Sequence, residues 1–177
     1  EEVSEAYEQQ LVEERRRAAL RSSAKAPRLA EDAGGDPMKV NWVDAGGESR
    51  WWTLKGEQTG REVSAQFVHD GTWLYVRLQE RMDSAKLVRD PGVWHGDDWE
   101  LLFAAKRGVK PYRQLAVNPD SKFLELAYGE PEWKSGANVV SRTEQGAWTG
   151  GLALPLNRLV PGGAKPGQAI HVNILRG

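Results

Sequence analysis

At 177 residues the chain is long enough for one domain with a sizeable core and an additional segment. Its 24 basic and 25 acidic residues leave a formal net charge of −1, so it lacks the electrostatic footprint of a nucleic-acid binder. With no Cys, disulfides, thiolate metal sites and cysteine nucleophiles are excluded, and no apolar run reaches membrane-spanning length.

Residues 1–22 predict a helix. Val3, Tyr7, Leu11 and Ala18 recur at helical spacing without an intervening Gly or Pro. Glu1, Glu2, Glu5 and Glu8 crowd its start and Arg15, Arg16, Arg17 and Arg21 its end, as the helix dipole favours. The narrow apolar stripe asks for a partner surface, either a preceding domain or the body that follows. Opening on Glu1-Glu2 predicts a segment processed or excised from something larger. Residues 23–37, with Ala26-Pro27, Gly34-Gly35 and Asp36-Pro37, predict an irregular linker.

From about residue 38 to residue 177, short alternating runs divided by Gly, Asp, Asn and Pro predict an all-β fold, an antiparallel β-sandwich of jelly-roll or immunoglobulin-like type. Strands are expected near 61–69, 73–80, 98–105, 112–118, 121–128, 137–143, 147–154 and 169–175. Asn118-Pro119-Asp120 is a hairpin turn signal, and 155–159 predicts one helical turn between strands.

The run from Trp94 to Phe103 carries the most chemistry. A His-Gly-Asp turn leads into a strand in which Trp99, Leu101 and Phe103 share the core face and Asp98 and Glu100 the opposite one. An indole beside acceptor-only carboxylates suits a sugar, whose C–H face stacks while its hydroxyls donate. Gln114, Asn118 and Asn173 fall on the outward parity of their strands and could add amide contacts. Adjacent acids on one strand point to opposite sides, so Asp97 and Asp98 make a poor glycosidase pair. The histidines, His69, His95 and His171, lack metal-ligand spacing.

The series Thr72-Trp73-Leu74-Tyr75-Val76, then Trp94 to Phe103, then Tyr112 to Asn118 resembles the family-9 carbohydrate-binding modules. Ala147-Trp148-Thr149, Leu152 to Leu156 and the late strand Ile170 to Ile174 continue the likeness in order, over roughly residues 38–177. The resemblance implies a non-catalytic sandwich that binds sugars (glucans or xylans in some members of the family), usually appended to a polysaccharide-degrading enzyme, in a secreted or periplasmic bacterial setting. It places a sugar-clamping Trp on Trp94 and a ligand-holding Glu on Glu100, and it implies structural calcium, for which Asp83, Asp97 and Asp120 are the candidates. Three departures stand out: a ligand-holding Arg falls on Ala116, a Glu of the penultimate motif is replaced by Gly150-Gly151, and the second clamp Trp would lie beyond Gly177. Trp133, in the loop after Pro131, is a candidate substitute for that second Trp. The expected partner is therefore a glycan, with a covalently linked catalytic domain, and not nucleic acid or membrane. The rival expectation is a sandwich of the same ancestry that has lost sugar binding and packs against a neighbouring domain.

Overall fold

A computed structural model describes residues 2–19 and 21–177. The elements in chain order are α1 (Glu2–Ala19), β1 (Gly46–Glu48), β2 (Glu62–His69), β3 (Trp73–Arg81), β4 (Trp99–Ala104), β5 (Tyr112–Val117), β6 (Phe123–Tyr128), β7 (Asn138–Glu144), β8 (Ala147–Pro155), α2 (Leu156–Leu159) and β9 (His171–Arg176). They build two antiparallel sheets, one ordered β1-β2-β3-β8-β7 and the other β6-β5-β4-β9. The chain is an all-β sandwich, as its alternation predicts, and every expected strand is present within two residues of its expected ends. The short strand β1 has no periodicity to announce it, being Gly46-Gly47-Glu48, and was not expected.

Between the sheets, alternate residues interdigitate into one core: Val76 and Leu78 from β3, Trp99, Leu101 and Phe103 from β4, Leu115 and Val117 from β5, Trp148 and Leu152 from β8. Trp99 packs against Trp148 with ring centroids 5.3 Å apart and edge-on to Trp51 at 6.0 Å.

A buried ion pair, Arg176 with Glu80, closes one end of this core. Arg176 on β9 is 3% exposed, lies 4.5 Å from the ring centre of Trp148, and donates from Nε to Glu80 on β3 at 2.7 Å. Its Nη1 reaches Asp97 at 2.7 Å, and Glu80 is also held by Arg61 at 2.8 Å. The ion pairs tie the two sheets together at one end, and each buried charge has an opposite charge in contact, as its desolvation requires.

Residues 23–37 are irregular, but they do not run free. Leu29 N donates to His69 O at 2.7 Å and His69 N to Pro27 O at 2.9 Å, which docks the segment on the edge of β2. Beyond it, Ala33 and Val40 pack with Val68, Tyr75 and Ala153 into a second apolar cluster on the outer face of the five-stranded sheet, joined by Leu29, Trp42 and Trp73. Tyr75 is fully buried there; its hydroxyl donates to Asp70 at 2.5 Å and accepts from Gly35 N at 2.9 Å. Gly35 has φ +77°, and a Cβ on it would meet the Trp73 ring at 2.7 Å, so only Gly fits.

In α1, Tyr7 is 61% exposed and Leu11 half-buried, and Arg16 donates to Lys55 O at 2.7 Å. The side chains of Val3 and Ala18, which complete the expected stripe, lie outside the described residues, as do those of Arg15 and Arg17.

Candidate functional site

The four-stranded sheet exposes its outer face chiefly at the edge strands, at Asn173 on β9 and Leu126 on β6, while Gln114 and Ala116 on β5 are buried. The register sets out that face row by row: Asn173, Leu102, Gln114 and Leu126 form one row across β9, β4, β5 and β6, and Leu175, Glu100, Ala116 and Leu124 form the next. Tyr112 and Tyr128 face each other one row beyond Gln114, their rings stacked with centroids 4.5 Å apart and 19° between planes.

A line of polar side chains crosses these rows diagonally. Gln114 Nε2 donates to Glu100 Oε2, and the Tyr128 hydroxyl donates to Gln114 Oε1 at 2.9 Å. The spacing is the diagonal neighbour relation of antiparallel strands, two residues along and one strand over. A carboxylate has about four acceptor sites, so the single bond from Gln114 leaves Glu100 able to accept from a ligand hydroxyl.

Trp94 lies on the loop before β4, the strand that carries Glu100. It is 41% exposed, directly after Val93, which is buried with φ +75°. A β-branched residue in the left-handed region is strained, and such strain persists where surrounding contacts over-determine it. Those contacts are visible. Asp97 N donates to Val88 O at 2.8 Å and Val88 N to Asp97 Oδ2 at 2.6 Å, closing the loop at its base. His95 N donates to Asp90 Oδ2 at 3.1 Å, and Asn118 Nδ2 donates to Asp90 O at 2.8 Å, pinning the loop to the end of β5. An exposed indole is thus presented on a rigid base, the form a stacking platform needs.

Asp98, two residues before Glu100 on the same face, is 4% exposed. Burial, with the Glu100 charge second, pushes its carboxyl up to about 6, against the opposing pull of Arg176.

The expected site residues divide. Glu100, Gln114 and Asn173 lie on the outward parity of the four-stranded sheet, Asn173 exposed and Glu100 half-buried. Gln114, in contrast, is 8% exposed, with its amide taken up by Glu100 and the Tyr128 hydroxyl. Trp94 is exposed on the loop that enters β4. Asn118 is fully buried: besides holding Asp90, its Oδ1 accepts from Asp120 N and Lys122 N at 3.0 Å, so its amide secures the loop and the β5–β6 turn and does not face solvent. Trp133 is 8% exposed, with its Nε1 donating to Arg158 O at 2.9 Å and Arg113 over its ring, on the parity of the inner face of β5. It is not presented to the outer face. Glu100 is partnered by Gln114, whereas Arg77 pairs with Gln66 and Arg113 with Glu130.

The acids named for calcium do not converge. Asp83 caps a short 3-10 turn through Ala85 N, Asp97 pairs with Arg176, and Asp120 pairs with Arg89. Among the described residues no three His, Cys, Asp or Glu come together, and calcium takes six to eight oxygens, so these side chains do not fit a calcium centre. Sequence reasoning missed Tyr112 and Tyr128. Their outward parity matches Gln114, but without the register nothing shows that they meet.

No protein-family profile and no curated protein sequence matches the chain. Solved structures do. A presumed carbohydrate-binding protein from Bacteroides uniformis superposes with a TM-score of 0.62 at 14% identity, over 87% of this chain and 84% of that one. A family-9 carbohydrate-binding module from Caldicellulosiruptor kristjanssonii, in complex with glucose, gives 0.58 at 11% identity over 85% and 75%. A family-9 module from the same organism with cellotriose gives 0.52 at 9% over 85% and 81%. The order of elements and the pairing of the sheets therefore define this chain as a β-sandwich with the fold of the family-9 carbohydrate-binding modules.

Proposed function

We propose that the chain is a non-catalytic carbohydrate-binding domain whose ligand lies on the open outer face of the four-stranded sheet. Trp94 stacks on the sugar ring, Glu100 accepts from its hydroxyls, and Gln114 is held in orientation by Glu100 and the Tyr128 hydroxyl. Asn173, exposed on the same row as Gln114, supplies a further amide at the β9 edge. The observation that carries the reading is the exposed Trp94 on its pinned loop, six residues before Glu100 in the chain. Modules of the same fold are complexed with glucose and cellotriose, which makes gluco-configured sugars the first probes.

The same reading makes the domain an accessory to a polysaccharide-degrading enzyme, acting outside the cytoplasm. Catalysis by the domain itself finds no support in its acids: Asp97 is committed to Arg176 and Val88, and Asp98 is buried on the other side of the strand. The test is a titration of intrinsic Trp fluorescence with glucose, cellotriose and xylo-oligosaccharides, with and without calcium. A saturable change in the intact protein that vanishes in a folded Trp94→Ala variant supports the site. Silence from folded protein across the panel favours instead a sandwich that packs against a neighbouring domain.

A further inference from the structure

The far end of the outer face differs in charge from the end that holds Trp94. Around Trp94 the side chains are acidic: Asp90, Asp97, Asp98 and Glu100. At the opposite corner, the β4–β5 connection runs Ala105-Lys106-Arg107-Gly108-Val109-Lys110, with three cations and no acid, all exposed. Among the described residues none of these three cations has a salt bridge, and the acids nearest in sequence beyond β6 are already taken, Glu130 by Arg113 and Glu132 by Lys134.

This cationic hairpin adjoins the stacked tyrosines. Tyr112 follows Lys110 by two residues, and the Lys110 side chain lies across Gly129, the residue after Tyr128: a Cβ added at Gly129 would meet Lys110 Cβ at 2.8 Å. From Glu100 to the tyrosine pair is four residues along the sheet and one or two strands across, roughly 15 Å by standard strand spacing and rise. That is more than a single sugar ring covers. Between the two lies Gln114, buried and hydrogen-bonded to both Glu100 and the Tyr128 hydroxyl, so a ligand that spans the gap passes over it.

Building on the carbohydrate reading above, we infer that the outer face takes an oligosaccharide whose neutral end sits at Trp94 and whose distal part carries an anionic unit, packed against the Tyr112–Tyr128 pair and paired with Lys106, Arg107 and Lys110. The anionic group is a uronate carboxylate or a sulfate ester. Aromatic rings bind the C–H face of either sugar, and unneutralised cations at the rim supply attraction that weakens with salt.

The experiment compares ligands of one length: xylotetraose, the same oligosaccharide bearing glucuronic acid, and its sulfated form, each titrated by calorimetry at low and moderate ionic strength. The anionic ligands are expected to bind about tenfold tighter than the neutral one at low salt. That ratio should shrink as salt is added and collapse in the double variant Lys106→Gln, Lys110→Gln, both exposed positions where folding is not at stake. Tyr112→Leu, which keeps apolar bulk on the cross-strand pair, should lower affinity for all three tetrasaccharides relative to xylose. Preference for glucuronate over sulfate, or the reverse, identifies the anion. Equal affinity for neutral and anionic ligands, or a preference untouched by the Lys substitutions, overturns the inference while neutral binding that depends on Trp94 leaves the underlying reading in place. Absence of binding by every sugar overturns both.

Discussion

The two sheets of this sandwich share a core, yet their outer faces have opposite fates. On the five-stranded sheet the chain's own residues 27–45 lie over Tyr75, Val68 and Ala153, so the face is roofed by an apolar cluster. On the four-stranded sheet the equivalent positions include Glu100, Gln114, Leu126, Tyr128 and Asn173; Leu126 and Asn173 are exposed, Glu100 and Tyr128 half-buried, and Gln114 buried. The roofed face spends its aromatics, Trp42, Trp73 and Tyr75, on packing. The open face presents Trp94 on a strained, pinned loop and leaves a tyrosine pair partly exposed. Aromatic content alone therefore says little about binding; which face the chain folds back upon decides it.

That contrast can be broken from either side. The largest effect is expected from Tyr75→Ala, which removes a fully buried ring and leaves Gly35 N without its acceptor. It should cost about 3–5 kcal/mol in denaturant unfolding and leave any sugar affinity of the folded fraction unchanged. Trp94→Ala should do the reverse, weakening sugar binding by about 1–3 kcal/mol in a titration while the melting temperature holds.

Asp98→Asn tests the buried edge of the open face. The folded Asp98 keeps its proton to about pH 6, whereas the unfolded chain loses it near the ordinary carboxyl value of 3.8. The folded state thus binds more protons between those values, so stability from this group is full below pH 4 and falls as pH rises through 6. The two-unit gap sets a ceiling of about 3 kcal/mol, and partial solvation will reduce it. The Asn variant should flatten this decline in a stability-against-pH series between pH 4 and 7. A wild-type curve that rises over that window would contradict the assignment. The smallest effect expected is from chelation: since the candidate acids are dispersed and engaged, removing calcium should leave the melting temperature and the fluorescence titration where they were.

Strand positions were legible in the sequence because each strand is half-buried and alternates, as in Trp99-Glu100-Leu101-Leu102-Phe103. The roofing segment was not, since residues 23–37 have no periodicity and dock through backbone hydrogen bonds to β2. Of the proposed site residues, turn chemistry puts Trp94 on a loop and parity puts Glu100 on the face of β4 away from Trp99, as observed. Asn118 shows the limit of parity: it has the outward phase of Gln114, but a loop 28 residues earlier in the chain folds over it and engages its amide. Trp133 shows another. A loop Trp after Pro131 looks exposed until Arg158 O and Arg113 close upon it. Both errors come from contacts distant in sequence, which local pattern cannot supply.

The placement of β9 bears on when the surface comes into being. It pairs with β4, joining residues 171–176 to residues 99–104, and its Arg176 reaches Glu80 on β3 and Asp97 before β4. Until that late segment docks, Glu80 and Asp97 lack their shared counter-charge and the open face lacks the edge that carries Asn173. During synthesis, then, this face is completed only after residues 171–176 have left the ribosome and reached a strand about seventy residues earlier, a pairing distant in sequence.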